Sequence, residues 1–588
     1  MKATMNNTKK LGSWLLAFSL AITLQVKAQD VVPHHIEMID ETLGPLSGNY
    51  VPDLKIANPD PGFVQTFDES QFVVTSKAIY TGAPAAWFQL RFDEVNMGTN
   101  SYFTITSGAD GDVQMFTAKS LAEWGNHSAM FNGGMVTIQL HVAPNEKEIG
   151  FHIYKLIVAD DLSNGVQAVP ESQCGPNDDR TALSDQAIGR MMPLGCTGWL
   201  ITNGTYVSAG HCCDAPASLN ILEFNVPASL SNGTTVAAAV VDQYPVNDAS
   251  IVFQNVTIGD DWCVFNVGVN SNTGKTAFDS YDTKNSFTDN KFFRVTHDNL
   301  PATTRITGYG VDQVPLGSSG GRNAQNQTEQ THTGPFVTEV NTSAVRVSLQ
   351  YTVDTEGGNS GSPVALNGTR NSCGIHTNAG CNTSASPGAN QGCSFEADDT
   401  ETGIVNKTTG VTFVDENHPS GFAATGTVFR PYKTVNAGIT GVTAGNVVDI
   451  AEGSYTETVI TSKALTLRAT SGMAVIGPSA PPVANGGSTA ELAVRNTVDH
   501  NSMTDDIKVS PNPVLNSCIV EFSIEAASDV EIYIYNAVGQ LEKVVLRNNF
   551  MQPGKLRVDA DLSDLRTGVY YMQIKTGEKL ATKKITKI

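Results

Sequence analysis

A chain of 588 residues is too long for a single hydrophobic core, so about three or four domains are expected. With 40% hydrophobic and 16% charged residues the composition is globular, and its wealth of Gly, Thr, Asn and Ser favours strands and turns over long helices. A net charge of −21 argues against nucleic acid or an anionic lipid surface as partner and says little about substrate.

The first 28 residues read as an export signal. Lys9 and Lys10 precede the apolar run LGSWLLAFSLAITL, and Val26-Lys27-Ala28 offers a small-x-small cleavage site before Gln29. The run falls short of the ~20 residues a membrane span needs, so a span is not expected. Loss of residues 1–28 removes four lysines and no acid, taking the charge from −21 to −25. Nine cysteines remain, eight of them between Cys174 and Cys393 and the ninth at Cys518. In an exported protein such clustering predicts up to four disulfides in one domain. A zinc site competes weakly, because His211-Cys212-Cys213 has no Cys-x-x-Cys pair to complete it.

Residues 29–165 alternate apolar and polar positions in AWFQLRF, SYFTITS, MVTIQLHV and GFHIYKLIV, with turn-rich stretches between them. That pattern predicts a β-sandwich serving as an accessory or pro-domain. Residues 170–425 hold the clustered cysteines and alternate short apolar runs with Gly/Asn/Ser turns, as an antiparallel barrel does. Residues 428–477 read as a short amphipathic piece followed by strand-like NVVDIA, TVITS and ALTLRA, similar to the opening coils of a parallel β-helix. One or two coils bury no core alone, so this segment should lean on a neighbour. Residues 478–504, including PSAPPVANGGSTAE, form a linker. Residues 505–588 are again strand-like.

This last segment carries VSPNP (509–513), VEIYIYNAVGQLEK (530–543), DLSDLRTGVYYMQIK (561–575) and a closing Lys-Lys-Ile (583–585). In the order of these motifs it resembles the C-terminal sorting domain of the type IX secretion system. The resemblance implies contact with that machinery and export across the outer membrane of a Gram-negative bacterium, to the surface or the medium.

Three motifs inside 170–425 carry chemistry. GCTGWLITNGTYVSAGHC (195–212) is a strand-like run ending in Ala-Gly-His-Cys. GDDWCVF (259–265) sets an acid just before an apolar strand. DTEGGNSGSPVAL (354–366) places Ser360 among glycines. A hydroxyl is a poor nucleophile unless a base lies within hydrogen-bond reach and a third group orients that base. The order His211, Asp261, Ser360 is one of several that can build such a triad. Asp260 competes with Asp261 by adjacency, Asp248 is a weaker rival, and Ser362 lacks the glycines that precede Ser360.

Over residues 190–395 these motifs resemble the chymotrypsin-like serine proteases. The resemblance implies a mainly β, multi-domain chain: a two-barrel catalytic core flanked by an N-terminal β-sandwich and C-terminal β-rich modules. Its pattern favours Asp261 over Asp260, makes the N–H groups of Gly358 and Ser360 the oxyanion hole, and bridges Cys196 to Cys212. The other six clustered cysteines should pair among themselves, with fifteen pairings open. One departure stands out. Mammalian-type members place an acid just before the serine to bind a newly freed amino terminus, whereas this chain has the uncharged Asn359.

For specificity two readings stay open. Asp354 lies where trypsin-like enzymes hold the carboxylate that selects Lys or Arg. The stretch, with GIHTNAG (374–380), more closely resembles bacterial glutamyl endopeptidases, in which Thr355 and His376 would receive an acidic side chain. The function expected is therefore a secreted, monomeric serine endopeptidase acting on proteins or peptides without a cofactor. The rival from another class is a catalytically idle adhesin on the same fold.

Overall fold

The structure, a computed structural model, describes residues 32–51, 68–477 and 507–587 apart from short internal segments, the longest being 163–171, 283–291, 314–320 and 382–387. The expected export signal (1–28) and linker (478–504) lie outside the described residues. The chain divides into two compact units, residues 1–493 and 494–588. Among the described residues no helix is long and apolar enough to cross a membrane.

The fold is mainly β. Near the start, strands His34–Leu46, Ile149–Ala159, Trp87–Asn96 and His127–Asn132 form one four-stranded sheet, and Val73–Tyr80, Met135–Val142, Tyr102–Ser107 and Val113–Thr117 form another. Alternation produces this pair. Val136, Ile138, Leu140 and Val142 are buried along one strand while their neighbours face outward. The inward faces meet around Phe92, Phe103, Phe116 and Phe151, whose rings pack edge-on or tilted at 4.5–5.5 Å.

Two barrels follow. In the first, Gln243–Pro245, Ile221–Glu223, Ile188–Met192, Cys196–Leu200, Tyr206–Ser208 and Asp260–Phe265 pair in that spatial order. The sheet closes where Val246 bridges Val267. In the second, Asn371–Asn378, Pro363–Leu366, Thr303–Gly308, Gln330–Ser343, Arg346–Tyr351 and Asn390–Ser394 form a ring that closes as Ile375 pairs with Cys393. Closure removes the free edges an exposed sheet would offer.

The N-terminal sheets are built into the first barrel. Met192, Ile221, Ala237 and Val240 of the barrel belong to the same apolar cluster as Trp87, Phe88 and Phe131. Trp87 Nε1 donates to Thr235 Oγ1 at 2.9 Å, and the buried Gln243 amide bonds both the N–H and the carbonyl of Met130. After the barrels, Val411–Val414, Val447–Ile450 and Thr466–Arg468 run parallel in register. Next to these strands, Phe413, Val428 and Phe429 join the core that holds Trp199 and Phe395.

The second unit has its own core. Strands Lys508–Ser510, Ser517–Ile524 and Gly554–Asp561 form one sheet, and Leu541–Met551, Ser528–Asn536, Gly568–Thr576 and Lys579–Lys587 form the other. Val520, Phe522, Ile532, Ile534, Met572, Ile574 and Ile585 fill the space between them.

The cysteines depart from expectation. Cys196–Cys212 forms, with Cys213–Cys263 and Cys174–Cys381, but Cys373 and Cys393 remain buried thiols, as does Cys518. A bulge explains the fourth pair's absence. Val364 pairs with Gly374 and Ala365 with Ser372, so Cys373 is the extra residue between them. Its thiol enters the cluster of Ile306, Leu349 and Val364, while Cys393 joins that of Trp199 and Phe395.

Candidate active site

His211 sits in a single helical turn, Gly210–Cys212, directly after strand Tyr206–Ser208. The turn presses on its neighbours so closely that a Cβ on Gly210 would fall 1.6 Å from the carbonyl oxygen of Gln254. Disulfides fix both flanks. Cys196–Cys212 brackets the turn, and Cys213–Cys263 ties it to the strand Asp260–Phe265 that carries Asp261.

Both oxygens of the buried Asp261 carboxylate are on His211. Oδ2 lies 2.7 Å from Nδ1, and Oδ1 accepts from the backbone N–H at 2.9 Å. Burial pulls the imidazole pKa down, but the charge and hydrogen bond of Asp261, with Asp214 adding, leave it above its ordinary value. Asp260 lies elsewhere. Burial, followed by the neighbouring Asp399, pushes its carboxyl up to about 6. Burial pushes the Asp248 carboxyl up, with the charge of Arg91 opposing.

Ser360 lies on the turn before strand Pro363–Leu366, with its backbone against the Cys196–Cys212 disulfide. Its carbonyl accepts from Thr197 N–H at 2.9 Å and lies 4.0 Å from Cys212 Sγ. Trp199 Nε1 donates to the carbonyl of Gly361, and Gly361 N–H donates to that of His376 at 2.8 Å. Gly358 adopts φ +101°, and a Cβ there would meet the carbonyls of Tyr309 and Gly195. The N–H of Asn359 turns back to Glu356 O, whereas among the described residues no acceptor takes the N–H of Gly358 or Ser360. Among the described residues no hydrogen bond joins Ser360 Oγ to His211 or to any other side chain. Ser362 is fully buried against Thr197 and Gly308, out of reach of solvent.

The three specificity candidates are all buried and already engaged. Asp354 is buried and committed: it accepts from the N–H of Cys174 at 2.8 Å and of Asp179 at 2.9 Å, with His332 at 3.4 Å. Thr355 Oγ1 lies 2.7 Å from Ser172 Oγ and accepts from Asn390 Nδ2 at 2.9 Å. His376 pairs with Gly392, and its Nδ1 lies 2.7 Å from the Tyr351 hydroxyl. Burial, with the charge of His211 adding, drives its pKa down to about 3, so the ring is neutral. The strand Asn390–Ser394 therefore touches both Thr355 and His376. Sequence reasoning did not single out Ser172, Tyr351, Asn390 or Asp214, none of which lies in a motif; only the fold brings them here.

Cys196, Cys212 and His211 have metal-ligand spacing, but the two sulfurs are bonded to each other, which leaves no thiolate for a metal.

Among solved structures, a thermostable serine protease, AL20, from an extremophilic microorganism aligns at 13% identity and TM-score 0.26, over 37% of this chain and 98% of its own. HL collagenase aligns at 11% identity and TM-score 0.21, over 41% of this chain and 99% of its own. No curated protein matches in sequence. Residues 508–587 match the family described as the secretion system C-terminal sorting domain, which marks the chain for export by type IX secretion to the cell surface or the extracellular space.

Proposed function

We propose that the chain is an exported serine endopeptidase in which Ser360, His211 and Asp261 act together. The observation that carries this reading is the double engagement of His211 by the Asp261 carboxylate, together with a glycine-bent turn at Ser360 that leaves two N–H groups uncommitted. Asp261 fixes the ring so that Nδ1 holds a proton and Nε2 is free to accept one. His211 takes the proton of Ser360 as Oγ attacks the peptide carbonyl, then returns it to the leaving amine. Negative charge then builds on the carbonyl oxygen, where Gly358 N–H and Ser360 N–H would receive it; losing one such donor typically costs about 10²–10³ in rate. A fluorophosphonate should label the protein at Ser360, and Ser360→Ala should abolish both labelling and peptide cleavage. Correctly exported protein that takes no label would return the chain to the adhesin reading.

For specificity we propose acidic side chains, Glu above all. A neutral imidazole can donate to a carboxylate, and His376 supplies one beside the strand that also holds Thr355, whose own hydroxyl is taken up by Ser172 and Asn390. The Lys/Arg alternative has less support, since two backbone N–H groups already occupy Asp354. A peptide-library digest read by mass spectrometry should give cuts after Glu, reduced about 10²-fold in kcat/KM by His376→Phe, by the arithmetic of a lost buried hydrogen bond to a charge. Cuts after Lys or Arg would overturn the acidic reading.

A further inference from the structure

Far upstream of Ser360, residues Ser172–Arg180 lie along the loop that leads into it. Ser172 Oγ bonds the carbonyl of Thr355 at 2.5 Å and its hydroxyl at 2.7 Å. Gln173 Nε2 donates to Glu356 Oε1 at 2.9 Å. The N–H groups of Cys174 and Asp179 hold the two oxygens of Asp354. Arg180 reaches Asn359 Oδ1 at 3.5 Å through Nη1 and donates to the carbonyl of Val311 at 2.7 Å through Nη2, while Val311 N–H donates to Gly357 O. So 354, 355, 356, 357 and 359 are each held, directly or through one residue. The segment is itself anchored by Cys174–Cys381.

The guanidinium is the telling part. Its side chain is 1% exposed and is paired on two atoms with Asp178. A buried cation is tolerated where partners surround it, and this one lies against the residue preceding Ser360. Asn359 offers no carboxylate to an incoming ammonium, and its Oδ1 already accepts from Glu356 N–H. The place where a freshly cut amino terminus could act is filled from within the chain.

We propose that Ser172–Arg180 is a built-in brace for the nucleophile loop, with Arg180 as its positioning residue, so that the loop is set in the uncut chain and needs no cleavage upstream of Ser172. This rests on Ser360 being the nucleophile. To test it, a recognition sequence for a viral protease is placed within residues 163–171 of the full chain, and fluorophosphonate labelling is timed before and after that cut. Equal rates, within about twofold, support the brace. Labelling at least 100-fold slower in the uncut chain overturns it while leaving Ser360 as nucleophile. No labelling in either state removes Ser360 and the brace together. Independently, Arg180→Met should lower kcat about 30-fold with KM within threefold and an unchanged acid limb in the pH profile, and Arg180→Lys should recover part of the loss. A folded Arg180→Met chain with normal kcat overturns the brace. If that variant does not fold, Ser172→Ala is read in the same way.

Discussion

His211 has a raised pKa because the attraction of Asp261 outweighs burial, and in the role proposed for it the ring must be neutral to accept a proton. Activity should therefore rise with pH through a value above the ordinary 6.5 of imidazole. Asp261→Asn removes the attraction, so the acid limb of kcat/KM should move to lower pH while kcat falls about 10⁴-fold. A pH–rate profile on both proteins checks the two effects at once. Asp260 titrates with the opposite consequence. From the ordinary carboxylate range up to about 6 the folded chain holds a proton there that the unfolded chain releases, so stability falls as pH rises across that window. Asp260→Asn should raise Tm by a few degrees at pH 7.5 and leave it unchanged at pH 4. The two aspartates also mark a limit of legibility. Neighbours on a strand face opposite ways, but every residue of Asp260–Phe265 is buried, so no polar alternation showed which acid faced His211. Motif resemblance alone favoured Asp261. Ser172, Gln173 and Arg180 carried no signal, because hydrogen bonds to residues about 180 positions away leave no local pattern.

Strands and turns were the readable elements. Val136 through Val142 alternate as a half-buried strand must, and Gly358 and Gly361 sit where the loop needs positive φ. Cysteine pairing was not readable, since one inserted residue in Asn371–Asn378 decides which core the Cys373 thiol enters. Burial pushes both Cys373 and Cys393 up to about 12, so neither carries useful thiolate at pH 8. Maleimide should leave both untouched in the native protein, and three thiols should titrate after unfolding without reductant. One thiol instead of three would mean that a fourth disulfide forms. The packing of the N-terminal sheets on the first barrel was equally hidden. Met192 and Ile221 read as ordinary barrel residues, yet they complete the core of another pair of sheets.

At the scale of the molecule, the sorting segment closes its own core and shares none of the described elements of the first unit's sheets. Its removal should therefore leave the chemistry alone. A chain lacking 508–587 should stay inside the cell envelope, with kcat/KM equal to that of the full chain when assayed in a lysate; low intrinsic activity in the shortened chain would contradict the separation. This part of the organisation was legible because the segment's motifs are local and occur in fixed order.

The brace described above also sets a timetable. Ribosomes deliver the amino-terminal portion first, so Ser172 is made long before Thr355, and both then wait for Asn390. Pairings that span so much chain form late. A half-made polypeptide thus has no finished loop around Ser360, which is completed only when nearly the whole first unit exists.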